Sequence, residues 1–268
     1  MNIASTKRAP SVPRDGRTPD LTVVGGAGHV GIPLVLALAD AGLTVNVNDL
    51  NETALSMLSS GKLPFIEHGA APLLAKALEN KRLIFTSSPN KIGRTGPVIV
   101  TIGTPVDEFL NPVQAEIQRC IDSLLPHIGD EQLLILRSTV YPGTTDWLQD
   151  YLNRLGRKNG LAFCPERVVQ GYGVKELREM PQIISATTSE AEQQASALFS
   201  KIVPELVFVR PIEAEFAKLF NNAYRYIEFA ATNQFYMRDQ ITAATRGLSA
   251  EFGEPGSQNG ERSQAIAN

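Results

Sequence analysis

The sequence predicts an α/β fold, a doubly wound and mainly parallel sheet followed by one long helix. Three observations carry this. Short apolar runs alternate with segments of helical periodicity from Leu21 to Val209. A glycine-rich turn joins the first apolar run to the first helix, and from Ile212 onward the apolar residues recur at uninterrupted steps of three and four. Strands alternating with helices place the helices on the faces of a parallel sheet, with right-handed crossovers.

The first unit holds the most informative stretch. Leu21 to Val24 reads as a buried strand, Gly26-x-Gly28-x-x-Gly31 follows, and Ile32 to Leu38 opens a helix. Gly26 is expected to allow the tight strand-to-helix turn. Gly28 lets a diphosphate approach the backbone, and Gly31 lets the helix pack against the sheet. Free N–H groups at the helix start, around His29 and Val30, favour negative charge. A second strand, Thr44 to Asn48, ends at Asp49, eighteen residues beyond Gly31. A carboxylate there accepts hydrogen bonds from an adenosine ribose and repels a 2′-phosphate, which favours NAD over NADP. Glycines reach this spacing by chance in loops, but here the strand, the helix and the acid all agree on a Rossmann-like dinucleotide site.

The remaining elements extend the pattern. Gly42 stops the first helix. A helix from Glu52 to Ser60 is closed by Gly61, Pro64, Phe65 and Glu67 lie in a loop, and Ala71 to Glu79 is a further helix. Leu83 to Thr86 and Val98 to Ile102 are strands, the latter ending in Gly103-Thr104-Pro105. Val113, Ile117, Ile121, Leu124 and Leu125 share a helix ended by Gly129. Leu133 to Leu136 is a strand ending at Ser138-Thr139, Thr144 to Leu155 a helix, and Leu161 to Phe163 a strand ending at Cys164-Pro165-Glu166. Gln182 to Ser185, Glu190 to Ile202 and Leu206 to Val209 complete the alternation as strand, helix and strand. Ligands of such sheets bind beyond the carboxyl ends of the strands, so Gly26, Asp49, Thr104, Ser138, Thr139 and Glu166 mark the candidate site.

Four segments follow from this: a disordered leader over 1–20, a dinucleotide-binding domain over 21–210, a central helix over 211–238, and an irregular or disordered tail over 239–268. The leader has three prolines and four basic residues without periodicity, and the tail has scattered glycines and no cysteine. Composition excludes several function classes. A net charge of −3 argues against nucleic acid as a partner. The leader has no apolar core of a secretory signal. The longest apolar run, Ile32 to Ala39, is far short of the ~18 residues a membrane span needs, so a soluble cytoplasmic protein is expected. Cys120 and Cys164 form neither a disulfide framework nor a metal spacing. His29, His68 and His127 likewise suggest no metal.

On the long helix, Ile212, Phe216, Leu219, Phe220, Ala223, Ile227, Ala230 and Ala231 form an apolar face. Lys218, Asn222 and Arg225 fall at i, i+4 and i+7 on one stripe. Pattern alone reads that stripe as solvated.

Taken together, several segments resemble the N-terminal part of the UDP-glucose/GDP-mannose dehydrogenase family, the NAD-dependent nucleotide-sugar 6-dehydrogenases. They are Gly25 to Pro33 (GGAGHVGIP), Gly61 to Glu67 (GKLPFIE), Gly103-Thr104-Pro105, Ser138 to Thr145 (STVYPGTT), Cys164 to Arg167 (CPER), and Glu215 through Lys218 to Asn222. The Cys-Pro-Glu-Arg form is similar to the branch acting on UDP-N-acetyl sugars such as UDP-N-acetylmannosamine. The resemblance implies two Rossmann-like domains joined by a long helix that pairs with its copy in a homodimer. It implies oxidation of a UDP-sugar C6 hydroxyl to a carboxylate, with two NAD+ reduced and a cysteine capturing the aldehyde as a thiohemiacetal. It also implies that Gly26, Gly28, His29, Val30, Gly31, Asp49, Thr104, Pro105, Ser138 and Thr139 bind the cofactor. Thr139 and Glu166 would handle protons or position water, and Lys218 and Asn222 would stabilise an oxyanion.

The departure from that pattern lies at the end. The family nucleophile sits in a G-G-x-C segment beyond the long helix, and no such segment follows Arg238. Cys120 reads as a small helical core residue and Cys164 as structural. Two readings therefore stand. One is the NAD-binding portion of a nucleotide-sugar dehydrogenase, truncated, inactive alone and active when another chain supplies the missing domain. The other is a non-catalytic NAD-binding regulatory or remnant module.

Overall fold

The computed structural model describes residues 18–94, 96–103 and 114–245. β1 (Leu21–Val24) is buried at every residue, and α1 (Gly31–Asp40) buries all but its last. The chain continues through β2 (Val45–Asn48), α2 (Glu52–Ser59), α3 (Ala70–Glu79), β3 (Leu83–Thr86), β4 (Val98–Val100) and α4 (Gln114–Leu124). It closes with β5 (Leu134–Leu136), α5 (Thr144–Arg154), β6 (Leu161–Phe163), α6 (Gly173–Glu179), β7 (Gln182–Ala186), α7 (Ser189–Phe199), β8 (Leu206–Phe208) and α8 (Pro211–Thr245). The described residues fall into two units, one ending at Phe216 and the other starting at Ala217.

The strands form one sheet in the order β3-β2-β1-β4-β5-β6-β7-β8. The order reverses direction between β1 and β4, with Val23 paired to Val47 on one side and Ile99 on the other. That reversal opens a crevice at the carboxyl ends, where such folds bind ligands. The doubly wound, mainly parallel sheet is therefore as the sequence predicts. Buried on both faces, its central strands are continuous apolar runs such as Val98-Ile99-Val100 and Leu134-Ile135-Leu136.

β2 is the exception, with Asn46 and Asn48 alternating with valines, all buried. Its amides are satisfied across neighbouring strands. Asn46 accepts from the Thr86 hydroxyl at 2.9 Å and donates to the Thr22 hydroxyl at 3.2 Å. Asn48 donates to Thr86 Oγ1 at 2.9 Å and to the Ser88 carbonyl at 3.1 Å. Buried amides cost free energy unless paired, so this ladder fixes the register that delivers Asp49 to the crevice.

Three features differ from the sequence expectation. β6 and β7 pair antiparallel, Phe163 opposite Ser185. The connecting α6, hidden in sequence by Gly171 and Gly173, stays at the carboxyl end of the sheet. A Cβ on Gly173 would lie 2.8 Å from Pro33 of the α1 first turn. The chain consequently re-enters the sheet from the end it left. Second, α8 runs past Arg238 to Thr245, so 239–245 belong to the helix and not to an irregular tail. No glycine or proline interrupts the chain between Pro211 and Gly247. Third, Asp20, placed in the expected leader, is tied to the sheet. Its N–H donates to the Thr44 carbonyl at 2.8 Å and its carboxylate accepts the Thr44 N–H at 2.7 Å. Residues 1–17 of the expected leader and 246–268 of the expected tail lie outside the described residues.

Candidate cofactor site

The turn after β1 shows what each glycine does. Gly25, with φ +79°, is the residue that needs left-handed backbone, a correction to the role expected of Gly26. Gly26 is needed for space instead, since a Cβ there would lie 2.9 Å from both the Val23 carbonyl and Val47 Cγ1. A Cβ on Gly31 would meet the Gly25 carbonyl at 2.4 Å, so the start of α1 packs on the turn itself more closely than on the sheet. Gly28 is different. Its nearest obstacle is the Gly25 carbonyl at 3.4 Å, which leaves open the side by which a diphosphate approaches. No hydrogen bond to a protein acceptor engages the N–H of His29, Val30 or Gly31 among the described residues. These are the donors a diphosphate would use at the α1 N-terminus.

Asp49 is held in place before any ligand arrives. Its Oδ2 accepts the Ala27 N–H at 2.9 Å and its Oδ1 accepts the Asn51 N–H at 2.9 Å. Each oxygen keeps a lone pair for a ribose hydroxyl. Asp49 also ties the end of β2 to the glycine turn, so the two are mechanically linked. Around it lies a cleft of about 540 Å³, bounded by Gly25, Gly28, Leu50, Pro89, Thr101 and the α4 face carrying Glu116, Arg119 and Cys120. That size suits a nucleotide. The Thr101 hydroxyl donates to the Val24 and Gly25 carbonyls, both at 2.9 Å, which pins β4 to the turn. Arg119 pairs with Glu116 on the exposed side. The residues present thus fit a dinucleotide, with the adenosine on the β2 side.

The loop between α2 and α3 covers the turn. Phe65 stacks on the His29 ring with centroids 3.8 Å apart. Glu67 is buried, and its carboxylate accepts the N–H groups of Gly171 at 3.1 Å and Val174 at 3.0 Å. It supplies the partners that the start of α6 lacks.

On the other side of β1, the ends of β5 and β6 carry Ser138, Thr139 and Glu166. The Ser138 hydroxyl donates to the Ile102 carbonyl, and Thr139 is half-buried. Glu166 is 6% exposed and ion-paired with the fully buried Arg137. Its Oε1 accepts the N–H groups of Arg167 at 2.7 Å and Val168 at 3.0 Å. A carboxylate has about four acceptor positions, so one further donor is accommodated on Oε2. Arg137 also donates to the Cys164 carbonyl at 3.1 Å and Gln182 Oε1 at 2.9 Å. Cys164 has no exposed surface, and burial pushes its thiol up to about 12, against a smaller opposing pull from Arg137. Cys120 borders the cleft, and burial raises it to about 11. Neither has the lowered pKa of a reactive thiol.

Lys218 and Asn222 lie in the second unit, one turn apart on α8, half-buried and exposed respectively. Thr104 and Pro105 lie outside the described residues. No acidic, histidine or cysteine cluster able to hold a metal occurs among the described residues, and no helix among them is long and apolar enough to cross a membrane. The sequence reading missed Arg137 and the Arg119–Glu116 pair. An arginine next to an apolar strand was the only signal for the first, and nothing in the sequence links α4 to Asp49.

Comparison with known proteins agrees with this geometry. The profile of the UDP-glucose/GDP-mannose dehydrogenase family, NAD binding domain, matches residues 20–203. The UDP-N-acetyl-D-mannosamine dehydrogenase of Methanococcus maripaludis is 29% identical over 215 residues, 78% of this chain and 49% of that protein. Among solved structures, the UDP-N-acetyl-mannosamine dehydrogenase of Staphylococcus aureus superposes with TM-score 0.71 at 27% identity, covering 80% of this chain and 53% of that one. The corresponding protein of Pyrococcus horikoshii gives TM-score 0.74 at 24% identity, a likeness of fold, over 88% of this chain and 59% of that one. The chain spans about half the length of the curated relatives it matches. Its cofactor is NAD, and the chain belongs to the UDP-glucose/GDP-mannose dehydrogenase family through its NAD-binding domain.

Proposed function

We propose that this chain is the NAD-binding portion of a nucleotide-sugar 6-dehydrogenase, which oxidises the C6 hydroxyl of a UDP-sugar to a carboxylate only when a sugar-binding domain with a nucleophilic cysteine is supplied. The observation that carries the reading is the cleft in which Asp49, the glycine turn and the Thr101–Gly103 segment after β4 meet, with the end of β5 tied to Ile102 by the Ser138 hydroxyl. The bound cofactor supplies the hydride acceptor. Gly28 and the N–H groups of His29, Val30 and Gly31 hold the diphosphate, Asp49 the ribose, and Ser138 and Thr139, with Thr104 and Pro105, line the nicotinamide side. Thr139 and Glu166 handle protons or position water near the reacting carbon. For Glu166 this uses the acceptor position left on Oε2 beside Arg137. Lys218 and Asn222, sharing one stripe of α8, stabilise the developing oxyanion. The names of the similar proteins favour a UDP-N-acetyl sugar such as UDP-N-acetylmannosamine as substrate. The apolar face of α8 pairs with its copy in a homodimer, and the protein works in the cytoplasm.

The described thiols favour a second reading, a non-catalytic NAD-binding module. Both cysteines are raised by burial, and Cys164 is sealed inside the sheet. The test is NADH formation from UDP-N-acetylmannosamine or UDP-glucose, with and without the C-terminal half of a related dehydrogenase. The proposal expects none from the chain alone, because an unheld C6 hydroxyl forfeits positioning that contributes on the order of 7–11 kcal/mol, and activity on complementation. Steady NADH formation by the chain alone, above a boiled control, contradicts the first expectation. Silence with every complementing half supports the non-catalytic module.

A further inference from the structure

We infer that Glu215 is a positioning residue for the nicotinamide side of the cleft, acting through the loop that carries Ser138 and Thr139; the inference rests on the NAD-binding reading of that cleft. Glu215 sits in the first turns of α8 with no exposed surface. Its Oε2 accepts the Gly143 N–H at 2.6 Å, and its Oε1 accepts the Thr145 N–H at 2.8 Å and the Thr145 hydroxyl at 2.6 Å. These are the donors at the start of α5. Helix starts leave N–H groups without partners, and α5 has no capping bond from its own N-cap, Gly143. A carboxylate seventy residues away in sequence does the capping instead. Negative charge there is also favoured by the helix dipole.

The loop capped in this way leads straight to the site. At its start, the Arg137 N–H donates to the Val100 carbonyl at 3.0 Å and the Ser138 hydroxyl donates to the Ile102 carbonyl. At its end, the Thr144 N–H and hydroxyl donate to the Tyr141 carbonyl at 3.0 and 2.6 Å. Thr139 and Val140 thus lie between an anchor on β4 and a turn whose far side is held by Glu215. The loop leaves the carboxyl end of β5, across the β1–β4 reversal from Asp49. In a doubly wound sheet a dinucleotide straddles that reversal. With the ribose on Asp49, the nicotinamide falls on the β4–β5 side. Loosening the α5 cap releases the loop there while leaving the Asp49 half of the cleft unaffected.

A cap with a purely structural role lowers stability without touching one half of the ligand selectively, so the test separates the halves. ADP-ribose, titrated by calorimetry, reports the adenosine and diphosphate half. The emission of bound NADH reports the nicotinamide surroundings. In the natural chain NADH emission is expected to rise on binding. In Glu215→Gln the rise should fall by half or more, with ADP-ribose affinity within about twofold of the natural chain. An unchanged rise, no rise in the natural chain, or a parallel loss of ADP-ribose affinity overturns the inference. If Glu215→Gln does not fold by circular dichroism, Thr145→Val removes one of the three donors and should shift the same signal in the same direction. Binding of neither ligand by the folded natural chain refutes the cofactor reading itself, a result distinct from these.

Discussion

Replacing Arg137 by Met removes the buried cation paired with Glu166 and leaves that carboxylate buried, with a side chain 7% exposed. The Cys164 carbonyl and Gln182 Oε1 lose their guanidinium donor in the same step, and the contact between the guanidinium and the Phe199 ring, 5.2 Å from its centroid, is lost too. Breaking a buried ion pair from one side costs about 3–5 kcal/mol, because the surviving charge is left uncompensated. With a urea m-value of about 2–3 kcal/mol/M, the unfolding midpoint should fall by roughly 1–2 M. The double variant Arg137→Met/Glu166→Gln removes the stranded charge. Its amide oxygen still accepts the Arg167 and Val168 N–H groups, so it should be more stable than the single variant. Urea unfolding followed by circular dichroism measures both. A loss below about 1 kcal/mol for Arg137→Met, or a double variant no better than the single one, would refute the view that this pair is buried and mutually compensated.

Three further outcomes are expected. Asp49→Ala should weaken NAD binding by about 1.5–3 kcal/mol through lost charge-assisted hydrogen bonds, measured by calorimetry; an affinity within twofold of the natural chain contradicts the ribose role. Because burial raises Cys120 to about 11 and Cys164 to about 12, their thiolates form only as the pH climbs toward those values. Iodoacetamide near neutral pH should therefore alkylate the folded chain roughly a hundredfold more slowly than a free thiol, and rapid labelling seen by mass spectrometry contradicts this. The second unit exposes Tyr224, Tyr226, Ile227, Phe235 and Met237 along α8, an apolar surface of the kind that associates. Sedimentation at rising concentration should show self-association, and a clean monomer throughout sinks the idea.

The sheet and its crevice were legible because each rests on a local signal. Apolar runs such as Leu21–Val24 and Val98–Val100 show burial on both faces, and the glycine turn followed by Asp49 marks the reversal point. The β6–β7 reversal was not legible, because α6 depends on Glu67, more than a hundred residues earlier, to satisfy its first N–H groups. The exact glycine needing positive φ was hidden as well, since Gly25 and Gly26 are adjacent and only three-dimensional crowding by Val47 and Thr101 tells them apart. The partners of Glu166 and Glu215 are likewise tertiary. Arg137 and Thr145 lie far away in sequence, and no periodicity connects them.

The cleft at Asp49 is where the cofactor reading meets its sharpest test. Calorimetric titration of the purified chain with NAD, repeated with NADP, tests it in one experiment. Saturable binding of NAD at one site per chain is expected, with NADP markedly weaker because the Asp49 carboxylate repels a 2′-phosphate. A folded chain that takes up neither dinucleotide, or binds both equally, contradicts it.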